Sequence, residues 1–370
     1  MSCRTNRQQA IRVIRGKENK DEREKTGSRF LGEDHRNLIE NHLDVRDWGK
    51  FITHEGRNNH MHRLVSTNGL SKEKWLEYRK KGITGTDAGA ITGMNPYVSA
   101  FQVYQDKRSD VTEDTDNESM RQGRDLEEYV AQRFSEETGL KVRKANAIYQ
   151  SDTSSIMLAD FDRLIAGQSA GLECKTVSPY SSDKWKDGAI PPHYQMQAQH
   201  YLAVSGFDTW YIAALIFGRE FIIRKIDRDE ELIRHLTQIE ERFWTENVCA
   251  GVMPDPDGTK NCSEQLSKLY FKCDQQKTVE LFGCNAMLDR RAELSDMIQK
   301  MEQEREMIDQ KIKMEMQDAA YGKAGNYNVS WISYDSKRID SKKLKAEKPE
   351  IYEQYAKSTS SRRFTVSSAA

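Results

Sequence analysis

The segment SIMLADFDRLIAGQSAGLECKTVS, Ser155 to Ser178, sets charged groups into two otherwise apolar runs. The first run ends in Asp160 and Asp162, a turn follows, and the second run presents Glu173 and Lys175. Successive side chains of a strand point to opposite faces. Glu173 and Lys175 therefore share a face, Cys174 points to the other, and a hairpin brings Asp162 beside the pair. Asp160 offers a competing carboxylate on the face of Asp162. Charges set into apolar strands are costly to bury unless something such as a metal compensates them.

Two acids and a lysine at this spacing suit phosphodiester hydrolysis. That reaction needs hard cations to stabilise developing charge and to generate hydroxide near neutral pH. Asp162 and Glu173 are the expected ligands for Mg²⁺ or Mn²⁺, with two ions expected, and the Cys174 carbonyl can reach the metal. Lys175 is expected to orient or deprotonate the attacking water, helped if neighbouring cations lower its pKa. A D-x(10)-E-x-K pattern alone is weak, because surface hairpins often carry such charges. Two further groups lie on helices nearby. Gln197 and Tyr201, in HYQMQAQHYLAV, are four apart and share a helix face. Glu127, in the helix before the strands, supplies another carboxylate. Taken singly, Glu127 reads first as a solvated helix acid, and Gln197 and Tyr201 as an ordinary half-buried pair.

Working outward, SKEKWLEYRKKG reads as a short helix with Ser71 as N-cap and Gly82 past its end. A second helix is expected after Thr86 (TDAGAITG), and a longer one over Ser119 to Thr138, closed by Gly139. Strands are expected at Ala147 to Gln150, Ser155 to Asp160, Gly171 to Val177, Trp210 to Phe217 and Glu220 to Ile226. Helices over HYQMQAQHYLAV and Glu230 to Asn247 complete a mixed α/β core. PDPDG introduces a linker and then a long helical run, Leu281 to Ala319. There Leu294, Ile298, Met301, Ile308 and Ile312 follow 3-4 spacing with Arg305 in the seam, which suggests a helical hairpin or weak coiled coil. NYNVSWISY alternates like a strand. Lys337 to Arg363 carries nine Lys/Arg against four Asp/Glu, an excess of five positive charges.

Composition sets the limits. The chain has 370 residues, 37% hydrophobic and 31% charged, so appendages outside any core are expected. A formal net charge of -1 supplies no global field for nucleic acid, so any DNA contact must be local. Cys3, Cys174, Cys249, Cys262, Cys273 and Cys284 show no zinc-finger spacing, and a reduced cytoplasmic setting is expected. No apolar run reaches the roughly 18 residues needed to cross a bilayer. The first sixty or so residues, basic at Arg4, Arg7, Arg12, Arg15 and Lys17, read as a flexible arm.

An ordered series now stands out: Trp75, Arg79, Ile83, Thr84, Thr86 and Asp87, then GRDLE, FDRL, LECK and QAQHY. Over roughly residues 65 to 258 it resembles the YqaJ-type viral recombinases, relatives of the phage lambda exonuclease in the PD-(D/E)xK superfamily. The likeness departs at Phe161, where a small or proline-like residue is usual. It implies a restriction-endonuclease-like fold, a central mixed sheet flanked by helices, in residues 65–260. An N-terminal arm (1–64), a linker with a long helix (261–319) and a small basic segment (320–370) complete the expected organisation. It also implies metal acids at Asp162 and Glu173, a catalytic Lys175, Glu127 supporting or ligating metal, and Gln197 and Tyr201 as active-site signature residues. Arg79 and Thr86 would form a pocket for a DNA 5′ phosphate beside a helix N-terminus. The implied activity is a Mg²⁺-dependent 5′-to-3′ exonuclease acting on ends of double-stranded DNA. It would leave 3′ overhangs for a single-strand annealing recombinase, from a ring-shaped homo-oligomer such as a trimer in a phage or prophage host. The alternatives are an endonuclease or nickase with the same site, or a non-catalytic recombination adaptor.

Overall fold

The computed structural model describes residues 60–110, 116–358 and 361–367. The basic positions of the expected arm lie outside them. In chain order, β1 (Met61–Ser66) precedes helices α1 (Lys72–Arg79), α2 (Gly85–Ile91), α3 (Ala100–Arg108) and α4 (Glu118–Thr138). Strands β2 (Val142–Lys144), β3 (Ala147–Ser151), β4 (Leu158–Asp160), β5 (Arg163–Ile165) and β6 (Ala170–Val177) follow. After a 3₁₀ segment (Pro179–Gly188) come α5 (Pro192–Ser205), β7 (Thr209–Ile216), β8 (Glu220–Asp227) and α6 (Glu230–Arg242), whose end continues as a π-helical turn through Cys249. Helix α7 (Lys260–Leu269) closes the first compact unit.

The sheet that positions the site runs β2-β5-β6-β7-β8. Strands β6 and β7 are parallel and the other neighbours antiparallel. A parallel pair needs a crossover, and α5 supplies it. Helix α4 covers one face, where Val130, Ala131 and Phe134 meet Leu172 and Ala213. Helix α5 covers the other, where Ala198, Tyr201 and Leu202 meet Trp210, Ile212 and Ala214. Each fully buried aliphatic side chain, such as Leu172, Leu202 or Ile212, contributes about 1.5–3 kcal/mol. This is the expected mixed sheet flanked by helices. Gly171 is required by packing, since a Cβ there would sit 2.2 Å from the Trp210 ring.

Several elements differ from expectation. Strand β1 pairs antiparallel with β3, so the end of the expected 1–64 arm is structured. It joins β3 and β4 in a separate three-stranded sheet, because the chain changes sheet at Phe161 and Asp162. The break between α1 and α2 falls earlier than Thr86. Thr84 is the N-cap of α2, and its N–H donates to Asp87 Oδ2 at 2.8 Å in a capping box. Helix α7 belongs with the first unit, past the expected boundary at 260. Asn261 Oδ1 accepts from the Ser99 N–H and hydroxyl at 2.9 and 2.7 Å.

The second unit begins at Tyr270. Its main element is α8 (Asn285–Met316), one unbroken helix of 32 residues. No Pro or Gly interrupts that span, so nothing turns it into the expected hairpin. A β-hairpin, β9 (Tyr321–Ala324) with β10 (Tyr327–Ser330), and two short helices, α9 (Ser341–Glu347) and α10 (Pro349–Tyr355), complete it.

Candidate active site

The alternation along β6 sets the site. Cys174 points into the α4 layer, so Glu173 and Lys175 point toward α5. Lys175 Nζ donates to Glu173 Oε1 at 2.6 Å. Gln197 Nε2, one turn into α5, donates to the same oxygen at 2.7 Å and lies 2.8 Å from the Tyr201 hydroxyl. Gln197 and Tyr201 are fully buried rather than half-buried. Tyr201 needs Gly85 opposite it, because a Cβ there would approach the ring to 2.4 Å.

Asp162 stands at the sheet change between β4 and β5, and its Oδ2 accepts the Cys174 N–H at 2.8 Å. Burial, with the charges of Glu173 and Glu127, holds its carboxyl well above the usual carboxylate range. Burial also raises Glu173, against the pull of Lys175. Glu173 Oε2 is buried with no hydrogen-bond partner. Two buried acids that disfavour each other's charge, one with an orphaned oxygen, form a donor set that a divalent cation would complete. Among the described residues no three His, Cys, Asp or Glu side chains close by themselves into a metal cage.

Glu127 explains part of that. Its carboxylate is engaged by the buried guanidinium of Arg163, which also donates to Glu128 and to the Asp162 carbonyl. Glu127 still lies close enough to raise Asp162 and Glu173. The sequence reading missed Arg163, although an arginine inside the apolar strand RLI is itself a signal, since a buried guanidinium requires acids. Tyr194 was missed as well. It precedes Gln197 by three residues on the same helix face, and Lys175 Nζ sits 4.9 Å from the centre of its ring.

Lys175 is held charged by the groups around it. Burial pulls its pKa down, but Glu173, Tyr194 and Asp162 outweigh burial and hold it above the ordinary lysine value. Its ammonium is a fixed cation here, with carboxylates rather than cations as neighbours.

A second network lies beside the first. Arg79 Nη2 donates to the hydroxyls of Thr84 and Thr86 at 3.0 and 2.9 Å, while Nη1 contacts both oxygens of Asp160. Trp75 underlies the guanidinium at 4.5 Å. Asp160 is therefore an ion-pair partner of Arg79, and its charge still reaches Glu173, which it helps to raise. Asp87 and Lys107 pair at 2.6 Å behind this network, and Lys107 also donates to the Arg79 carbonyl at 2.8 Å. Arg79 and Thr86 thus stand together at the start of α2.

Residues 74–208 match the model of the YqaJ-like viral recombinase domain. The uncharacterized protein YqaJ of Bacillus subtilis (strain 168) is 37% identical over 307 residues, covering 82% of this chain and 96% of that protein. This chain belongs to the YqaJ-like viral recombinase family. Its YqaJ-like span runs from inside α1 to just before β7 and contains all the site residues above. Among solved structures, the alkaline exonuclease LHK-Exo of Laribacter hongkongensis aligns with 54% of this chain and 100% of its own. The identity is 20% and the TM-score 0.43. A phage-related exonuclease of Haemophilus somnus 129PT aligns over 48% of this chain and 100% of its own, with 13% identity and a TM-score of 0.38. No described helix of the YqaJ-like chain is long and apolar enough to cross a membrane.

Proposed function

We propose that this chain is a divalent-metal-dependent DNA exonuclease that degrades one strand of linear duplex from its 5′ end. The observation that carries this reading is Glu173. One of its oxygens is held by Lys175 and Gln197, and the other is left buried and free beside Asp162.

Asp162 and Glu173, with the Cys174 carbonyl, would hold Mg²⁺ or Mn²⁺, and Glu127 would support them once released from Arg163. A bound cation here supplies charge stabilisation at the phosphate and a nucleophilic water near neutral pH. The chain's own residues do the rest. Lys175, fixed by Glu173 and seated on Tyr194, presents an ammonium to the phosphate oxygens and orients the attacking water. Gln197 aims Glu173 and is in turn aligned by Tyr201. Burial excludes bulk water and strengthens each of these interactions.

The 5′ polarity is what the family resemblance implies, and it is supported by Arg79 and Thr86, a guanidinium and a hydroxyl at the first turn of α2 that suit a terminal 5′ phosphate. The 3′ single strand left behind is a substrate for an annealing recombinase, and a ring-shaped homo-oligomer would retain the DNA.

The deciding experiment is digestion of linear duplex labelled separately at its 5′ and 3′ ends, with and without Mg²⁺, beside covalently closed circles. Early loss of 5′ label with circles spared is the expected result. Cut circles would make the enzyme an endonuclease, and the absence of metal-dependent cleavage would leave a binding protein.

A further inference from the structure

A run of rings begins at Tyr194, the seat of Lys175, and continues beyond it. The Tyr194 ring that carries Lys175 lies 4.0 Å, centre to centre, from the His193 ring. His193 in turn meets Tyr97 edge-on at 6.1 Å and 85°. The row starts at the reacting lysine and ends in solvent, where Tyr97 is 61% exposed. Lys184, an exposed residue of the 3₁₀ segment that follows β6, places its ammonium 6.0 Å over the Tyr97 ring.

The row is built rather than incidental. Buried Trp185 backs Tyr194 at 5.8 Å. Asn95 Oδ1 accepts from the N–H groups of Tyr97 and Val98 at 2.8 and 3.2 Å, which fixes the loop between α2 and α3. A side chain at Gly89 would press on His193, with a Cβ only 3.1 Å from its Cβ. Burial, with Lys175 and Lys184, pushes the imidazole down to about 4, so the ring is neutral at physiological pH. A fixed, exposed aromatic ring rimmed by a lysine is the surface on which single-stranded bases stack, since every base has a π-face and a backbone charge to match.

We propose that Tyr97, backed by His193 and flanked by Lys184, is a stacking site for an unpaired nucleobase of the DNA strand whose phosphate is held at Lys175. This rests on the nuclease reading and adds a strand-positioning subsite to it.

The test uses the full chain carrying Glu173→Gln to prevent cleavage, and duplexes with or without a three-nucleotide unpaired 5′ tail containing 2-aminopurine. The expected result is quenching of 2-aminopurine on binding the tailed duplex. Tyr97→Leu should abolish the quench and weaken tailed-duplex binding roughly 5- to 150-fold. Tyr97→Phe should retain both, and the blunt duplex should bind all forms equally. An undiminished quench in Tyr97→Leu overturns the stacking site. Equal weakening on tailed and blunt duplex overturns it too, because the ring would then contact the duplex. Parallel digestion by the chain with Glu173 intact separates the two readings. Cleavage without Tyr97-dependent quenching sinks the subsite alone, and quenching without any metal-dependent cleavage sinks the nuclease alone.

Discussion

Nη1 of Arg79 lies 2.8 and 2.7 Å from the two carboxylate oxygens of Asp160, so one arm of the guanidinium is already neutralised before any ligand arrives. The other arm, at Thr84 and Thr86, is the one that faces the start of α2. Removing the arginine and removing its acid should therefore act differently on DNA ends. Arg79→Ala is expected to erase the preference for 5′-phosphorylated over 5′-hydroxyl ends, a loss of roughly 10- to 100-fold for hydrogen bonds to a charged group. Asp160→Asn should keep that preference. Competition digests with the two kinds of end read it directly, and an Arg79→Ala enzyme that discriminates like wild type would remove the phosphate pocket from this site.

Lys175→Ala should lower cleavage by roughly 10²- to 10⁴-fold with DNA binding retained. Gln197→Ala, which acts only through Glu173, should cost roughly 10- to 100-fold. Rates measured under single-turnover conditions, alongside gel-shift affinity, check both. Equal loss in the two variants would mean that Gln197 does more than orient Glu173.

The acids of the site oppose each other's charge, and a divalent ion should relieve that. Mg²⁺ or Mn²⁺ is expected to raise the melting temperature of the wild type through linkage, and to leave Asp162→Asn unchanged. The pH sign follows from the raised Asp162. A carboxyl held above its ordinary value of 3.8 binds its proton more tightly in the folded state. Its stabilising contribution is thus present at low pH and falls as pH rises from about 3.8 through the folded value. Metal-free Asp162→Asn should lose that part of the pH dependence. Calorimetry from pH 4 to 8 decides, and identical slopes in variant and wild type would contradict the assignment.

Behind the site, buried His200 Nδ1 meets Glu240 at 2.9 Å, and its Nε2 meets the Leu158 carbonyl at 2.9 Å. Burial lowers His200, but Glu240 outweighs it, leaving the imidazole above 6.5. That stabilisation is fully present below about pH 6.5 and disappears as pH climbs through the folded value. Glu240→Ala should destabilise the fold by about 3–5 kcal/mol, because it strands a buried partner. A loss under about 1 kcal/mol in urea denaturation would show that the pair is dispensable.

Gly85→Ala should depress activity without touching any acid. The added methyl would meet the Tyr201 ring at 2.4 Å and displace the Gln197–Tyr201 pair that aligns Glu173. Overpacking of this kind costs about 1–3 kcal/mol. A fully active Gly85→Ala enzyme would show that the Tyr201 position does not govern the chemistry.

Much of this was legible in order along the chain. The period-2 runs around Asp162 and Glu173 mark the strands, and the alternation of Glu173, Cys174 and Lys175 assigns their faces correctly, because strand geometry leaves no other choice. The 3.6 period places Gln197 and Tyr201 on one side of α5. Less legible was anything that depends on which strand pairs with which. The short strands β2 and β5 carry too few residues for a period to appear, and β1 pairs with a strand distant in sequence.

The sequence by itself determined the longer strands and helices of the core, the motif that joins the chain to its family, and the faces on which Glu173, Cys174 and Lys175 stand. The elements and the faces follow from backbone periodicity over a few residues, and the motif from the order of its residues along the chain. Only the tertiary structure decided how the acids divide. It set Asp162 against the Cys174 amide, Asp160 against Arg79 and Glu127 against Arg163. Each choice rests on burial, and a buried charge takes the partner that the packing of distant elements brings within reach.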